Sequence, residues 1–366
     1  MITKPTLILD EIKCKQNIKM MSDKAKRHQI DFRPHFKTHQ SLEIGRWFKA
    51  EGVTKITVSS LDMAQYFASE WDDITVAFPI NILEIDTINV LAKKITLNIL
   101  IESETTANLL EPQLLYPVNF FIKINVGNNR AGLDPSNTES IESILSITKS
   151  SRKLNFKGFL GHAGQTYKCR NKTDILNEHE KCKSILISLK TKFESRYPDL
   201  KLSLGDTPSC SLSEDFKEVD ELRPGNFVFY DLTQNLISSC NAQQIAVAMA
   251  CPIVAIHPEK NEVILYGGGI HLSKDRMTDK NGVTIFGKII AKTKNGWGDI
   301  LPEVYVKKLS QEHGVVSVPK SLMSNFKIGD YALVLPIHSC MSANLMKHYI
   351  TTTGKQIKMH NIHLQD

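Results

Sequence analysis

Two short segments of this chain gather side chains able to do chemistry. The first, Arg33-Pro34-His35-Phe36-Lys37-Thr38-His39, sets one amine beside an arginine and between two imidazoles. Cationic neighbours favour the neutral form of an amine, the form that condenses with a carbonyl group. On charge alone, a basic surface loop explains the same run equally well. The second segment is Pro336-Ile337-His338-Ser339-Cys340, after the apolar run Tyr331 to Leu335. In extended chain, residues two apart share a face, which lets the imidazole of His338 and the thiol of Cys340 converge on one ion. Nitrogen with a soft sulfur suits zinc best among common metals. Only two protein ligands leave positions for water and substrate, the pattern of an open catalytic site. By itself the spacing also describes a core cysteine beside a chance histidine.

Two further segments carry glycines and polar groups suited to an anion. Leu204-Gly205-Asp206-Thr207-Pro208-Ser209 and Glu221-Leu222-Arg223-Pro224-Gly225-Asn226 offer backbone N–H groups, the Thr207 and Ser209 hydroxyls, and Asn226 at the head of a turn. Gly161-His162-Ala163-Gly164-Gln165-Thr166-Tyr167 adds a phenol, and Asn125-Val126-Gly127-Asn128-Asn129-Arg130-Ala131-Gly132 adds a guanidinium that a structural salt bridge would equally explain. Either of the first two alone reads as an ordinary turn. Tyr266 to His271 is also glycine-rich, but the pattern after it lacks the helix of a dinucleotide site.

These segments recur at one place in a repeating pattern. Eight β-type runs, at 30–35, 55–59, 74–78, 97–101, 119–126, 155–161, 200–205 and 221–225, alternate with amphipathic stretches such as 61–71, 82–92, 138–149 and 173–194. Eight strands alternating with helices predict a (β/α)8 TIM-type barrel, an α/β fold whose active groups follow the C-terminal ends of strands. Lys37 follows the first run, and the glycine-rich segments follow the fifth to the eighth. From about residue 245 the texture becomes strand and turn, at 245–256, 262–266, 303–309, 314–318 and 331–335, predicting an antiparallel β domain. The expected division is a barrel over 10–244 and a β domain over 245–366, with a strand at 6–9 adding to the latter.

Composition excludes several classes. Hydrophobic content of 42% and charged content of 23% describe a globular chain, and the net charge of +6 is dispersed, without the basic blocks of a nucleic-acid binder. No apolar run is long enough to span a membrane, and the first residues lack a signal-peptide core. Seven scattered cysteines form no disulfide framework, so a reducing cytoplasm is expected.

Taken together and in order, the motifs resemble the D-serine dehydratase and D-threonine aldolase family, alanine-racemase-like enzymes of fold type III among pyridoxal-phosphate enzymes. The segment around Lys37 looks like the family's R-P-H-x-K-T-H. The two phosphate-type loops look like its G-S-T-P-[ST] and E-x-R-P-G-N-Y-x-x-Y-D, and Gly161 to Tyr167 resembles H-A-G-H-S-Y with Gln165 replacing a histidine. Asn125 to Gly132 resembles V-x-x-G-x-x-R-x-G, and Ser310 to Gly314, with His313, resembles S-x-E-H-G. The resemblance implies pyridoxal 5'-phosphate held covalently by Lys37, with Arg130, Tyr167, Gly205, Thr207, Gly225 and Asn226 around it. It implies zinc on His338 and Cys340, because D-threonine aldolases carry histidine and aspartate at those places, and this favours the dehydratase branch. The implied reaction converts D-serine or a related D-3-hydroxy amino acid into a 2-oxo acid and ammonia, in a homodimer. Retro-aldol cleavage to glycine and an aldehyde is the alternative. A non-catalytic pyridoxal-phosphate carrier fits less well, since carriers lack the β domain, and so does a racemase, which needs a second base.

Overall fold

The computed structural model describes residues 2–149, 151–279 and 282–361. They form two compact units, one of residues 19–37 and 45–225, the other of residues 2–18, 38–44 and 226–361. Strands are numbered along the chain, and β1 (Thr6–Leu9) belongs to the second unit.

The first unit is the expected barrel. Its strands are β2 (Asp31–Phe32), β3 (Ile56–Val58), β4 (Asp73–Pro79), β5 (Thr96–Ile101), β6 (Val118–Lys123), β7 (Leu154–Gly161), β8 (Lys201–Leu204) and β9 (Glu221–Leu222), all parallel to their neighbours. Runs such as Thr-Leu-Asn-Ile-Leu-Ile in β5 are nearly continuous in apolar residues because a parallel sheet is buried on both faces. The sheet closes just beyond β2. There Thr57 N–H donates to the Pro34 carbonyl at 2.9 Å, and Phe36 N–H donates to the Thr57 carbonyl at 2.8 Å. Helices follow strands with side-chain caps at their starts, as Ser60, Ser103 and Asn171 show.

The barrel interior holds a polar chain. Arg33 Nε donates to Glu221 Oε2 at 2.5 Å and its Nη1 donates to Asp73 Oδ1 at 2.6 Å, while Ser203 Oγ donates to Glu221 Oε1 at 2.6 Å. Asn98 extends the chain from Asp73 toward Asn119. Arg33 and Glu221 thus meet opposite charges, as a low-dielectric interior requires.

The second unit is the antiparallel β domain. It comprises β1, β10 (Val247–His257), β11 (Glu262–Tyr266), β12 (Met277–Thr278), β13 (Thr284–Ile285), β14 (Gly287–Thr293), β15 (Gly296–Leu309), β16 (His313–Ser317), β17 (Tyr331–Pro336), β18 (His348–Thr351) and β19 (Gln356–Lys358). Strands β10, β11, β16, β15, β14 and β17 close into a ring, because β10 pairs with both β11 and β17. Thr6 to Leu9 runs antiparallel to Val247 to Ala250, and β18 and β19 extend from β1. Residues 226–244, placed with the barrel by sequence periodicity, group with this unit. Asp231 ties them to Ser339, whose N–H donates to Asp231 Oδ2 at 3.0 Å.

Candidate active site

Lys37 stands where the chain leaves the barrel's first strand. Phe36 is fully buried and packs edge-on against Phe67 and Trp71, with ring centroids 5.1 Å apart in each case. That anchor turns the next side chain outward, and Lys37 is exposed. The expected crowd around the amine is redistributed, however. Arg33 is buried and spent on Glu221 and Asp73, because it points into the barrel. His39 is buried in the second unit, where its carbonyl accepts from Tyr349 Oη at 2.8 Å. His35 remains, with a pKa held well below the usual imidazole range by burial and then by Lys37, Arg223, His162 and Arg130.

The same charges recur at the ends of later strands. His162, just after β7, donates from Nδ1 to the Gly205 carbonyl at 2.8 Å, since a carbonyl oxygen only accepts. Burial pushes this imidazole down to about 3, so the ring is neutral and Nε2 is left as an acceptor. Lys123 ends β6, is 6% exposed, and is pulled to about 8 by burial and by Arg223 and Arg130. Arg223 is buried, donating to Ser203 Oγ at 2.6 Å and to the Gly161 carbonyl, and burial lowers it to about 10. Sequence reading passed over Lys123, which ends a strand as an ordinary-looking lysine, and left Arg223 unassigned. The signal available was position: both close barrel strands at the catalytic end.

The glycine-rich loops after β7 and β8 are joined to each other. Thr207 N–H donates to Tyr167 Oη at 3.2 Å, and Asp206 caps the short helix Thr207–Leu212 by accepting from Ser209 N–H at 2.8 Å. Gly205 is required there, because a Cβ would lie 2.5 Å from the backbone nitrogen of Arg223. Gly225 follows Pro224, whose carbonyl accepts from His35 N–H at 2.8 Å. Arg130 is exposed, and its charge acts on His35 and Lys123. Gln165, in the place of the family histidine, turns back to donate to the Val126 carbonyl at 2.9 Å. A cluster rich in cations, with neutral imidazoles and a loop too tight for any side chain at Gly205, fits an anionic cofactor such as pyridoxal phosphate.

In the second unit His338 and Cys340 do come together, though not through extended chain. His338 is the N-cap of the helix Ser339–Met346, and Cys340 lies in its first turn. The reason is Asp231, whose Oδ2 accepts from both the N–H and the hydroxyl of Ser339 and so starts the helix early. His338 Nδ1 lies 3.3 Å from Asp275 Oδ2. Burial lowers the His338 pKa, but Asp275 and Cys340 more than compensate and push it up to about 11. The Cys340 sulfur sits 3.2 Å from Thr38 Oγ1 and accepts from Asn226 Nδ2 at 3.4 Å. Asn226, expected in the phosphate cradle, directs its amide nitrogen to Asp231, Ser339 and Cys340, while its Oδ1 is buried without a hydrogen bond. Among the described residues no group of three or more His, Cys, Asp and Glu side chains converges. An imidazole nitrogen beside a cysteine sulfur is a donor pair whose chemistry suits zinc.

This combination of a parallel barrel, a lysine after its first strand and a β domain with an imidazole–thiol pair defines a (β/α)8 enzyme with an appended β-barrel. Residues 9–232 match the sequence profile of the alanine racemase N-terminal domain, and residues 246–352 match that of a serine dehydratase domain. The D-serine dehydratase of Dictyostelium discoideum is 29% identical, over 94% of this chain and 91% of that one. The solved D-threo-3-hydroxyaspartate dehydratase from Delftia sp. HT23 is 22% identical with a TM-score of 0.88, covering 98% of this chain and 97% of that one. The D-threonine aldolase from Filomicrobium marinum superposes with a TM-score of 0.83 at 17% identity, over 97% and 94% of the two chains. The chain belongs to the alanine-racemase-like family, in its D-serine dehydratase-like branch, and is an amino-acid lyase.

Proposed function

We propose that this protein is a pyridoxal-phosphate- and zinc-dependent dehydratase of D-3-hydroxy amino acids, acting on D-serine or a near relative and releasing a 2-oxo acid and ammonia. The observation that carries the reading is the pair His338 and Cys340, oriented by Asp275 and flanked by Thr38. The solved 3-hydroxyaspartate dehydratase supports it. That enzyme has been crystallised with alanine at a histidine and at a cysteine two positions further on, the latter metal-free, and the spacing is that of His338 and Cys340.

Pyridoxal phosphate, when bound, supplies a sink for the electron pair left at the α-carbon. Lys37 would hold it, with Arg130, Tyr167, Gly205, Thr207, Gly225 and Asn226 as the residues proposed around it. The Lys37 amine is the base that would take the substrate's α-proton. His338 and Cys340 would hold zinc, which would supply Lewis acidity for a β-hydroxyl that otherwise leaves poorly. Asp275 occupies Nδ1 of His338, which leaves Nε2 as the nitrogen that would serve as a ligand. Loss of the α-proton and the β-hydroxyl amounts to loss of water. The resulting enamine takes up water and gives the 2-oxo acid and ammonia. A homodimer is the expected assembly, and among the described residues no helix is long and apolar enough to cross a membrane.

The test is product analysis by NMR after adding D-threonine to protein loaded with pyridoxal phosphate and zinc. The dehydratase reading requires 2-oxobutanoate and ammonia. Glycine and acetaldehyde would instead establish retro-aldol cleavage.

A further inference from the structure

Proton bookkeeping at the joined loops leads beyond the reading above, on which it rests. Thr166 is fully buried, and its Oγ1 lies 2.7 Å from the Ala163 carbonyl and 2.9 Å from Asp206 Oδ1. A hydroxyl has one hydrogen to give, and a carbonyl oxygen has none. If the Thr166 hydrogen goes to Ala163, the short contact to Asp206 needs a hydrogen from the carboxyl itself. Asp206 Oδ1 still accepts from Ser209 N–H at 2.8 Å, so its lone pair there is used as well. The other oxygen, Oδ2, is buried with no hydrogen-bond partner. An unpaired carbonyl oxygen is tolerable in that position, whereas an unpaired half of an ionised carboxylate is far more costly.

We propose that Asp206 is held as a neutral carboxylic acid that donates to Thr166, and that it acts as a positioning residue fixing the Tyr167 and Thr207 loops around the cofactor phosphate. The arrangement suits its place. A carboxylate here would add negative charge to a loop meant for a dianion, while a neutral acid keeps the brace and removes the repulsion. Three links then run between the two loops: His162 to the Gly205 carbonyl, Asp206 to Thr166, and Thr207 N–H to Tyr167 Oη. Burial raises the Asp206 pKa; the Ser209 N–H and hydroxyl and nearby His179 oppose that rise, and Thr166 opposes it only where its hydroxyl donates to the carboxyl.

The experiment compares wild type, Asp206→Asn, Asp206→Ala and Thr166→Val, with pyridoxal phosphate titrated into the cofactor-free protein and dissociation constants read by fluorescence. Asparagine mimics the neutral acid, keeping an acceptor oxygen and a donor, so D206N should stay within about twofold of wild type. D206A and T166V break the brace and should each weaken binding about tenfold, the effect of one buried hydrogen bond. Difference infrared spectra of wild type against D206N at neutral pH should show the carbonyl stretch of a protonated carboxyl lost in the variant. Absence of that band, or D206N binding as weakly as D206A, overturns the proposal while leaving the cofactor reading intact. If D206A does not fold, T166V decides: unchanged affinity there overturns the brace. A wild-type protein that takes up no pyridoxal phosphate overturns both.

Discussion

Replacing Lys123 with methionine should stabilise the cofactor-free protein and weaken its hold on the cofactor. Lys123 is 6% exposed at the end of β6, with its pKa drawn from 10.5 to about 8 by burial and by Arg223 and Arg130, against the pull of Glu102. That gap corresponds to about 3 kcal/mol of unfavourable charge burial. The sign follows from which state binds the proton. Below about 8 the amine is charged in both folded and unfolded chains, so the full cost is present. As pH climbs from there toward 10.5 the folded amine is neutral, the unfolded one still charged, and the cost is progressively relieved. Lys123→Met keeps the apolar stem and drops the charge. In a chain of this length, unfolding as one transition, removing that cost raises Tm by about 4 °C at about pH 7, and by less than half of that at about pH 9.5. With pyridoxal phosphate present the gain shrinks by about 1.4 kcal/mol, roughly half, because the variant lacks a cation for an anionic cofactor and binds it about tenfold more weakly. Thermal unfolding at the two pH values, with and without cofactor, reads all of this. A variant no more stable than wild type at neutral pH, or a gain that ignores pH, would refute the reasoning.

Three further outcomes are expected. Lys37→Ala should lose the visible absorbance of the lysine-linked cofactor, and a retained band would mean another amine holds it. Cys340→Ala should lower the zinc found by elemental analysis while leaving pyridoxal phosphate in place; unchanged zinc would remove the sulfur from the ligand set. Glu221→Gln leaves buried Arg33 with Asp73 as its anion, and should cost about 3 kcal/mol in chemical denaturation. A loss under about 1 kcal/mol would show that Asp73 alone neutralises the guanidinium.

What the sequence discloses about this molecule depends on how local the cause is. The barrel strands are legible because each is a short apolar run feeding a capped helix, and Leu154–Gly161 and Glu262–Tyr266 lie within a residue of where periodicity puts them. Strand β15 is longer than its pattern suggests. Opposite it, Lys288 pairs with Tyr305 but Ile290 pairs with Ile300, two steps on one strand against five on the other, and Glu303 turns left-handed at φ +58°. That bulge hides the strand's first half from any test of alternation. Strand β14 is missed because its apolar core, Ile289 to Ala291, is flanked by lysines. The site divides the same way. Lys37 and the His338/Cys340 spacing are legible as motifs, yet Thr38 meets Cys340 across 302 residues and Asp275 meets His338 across a turn that periodicity cannot place. Arg33 shows why residue type alone misleads. It sits four residues from Lys37 and reads as part of its cationic crowd, but its side chain answers to Glu221 and Asp73 inside the barrel. The charge that does accumulate at the strand ends comes from Lys123, Arg130 and Arg223, none of them neighbours of Lys37 in sequence. A barrel makes such a cluster by closing, so its electrostatics become visible only once the eight strands have been drawn into a ring.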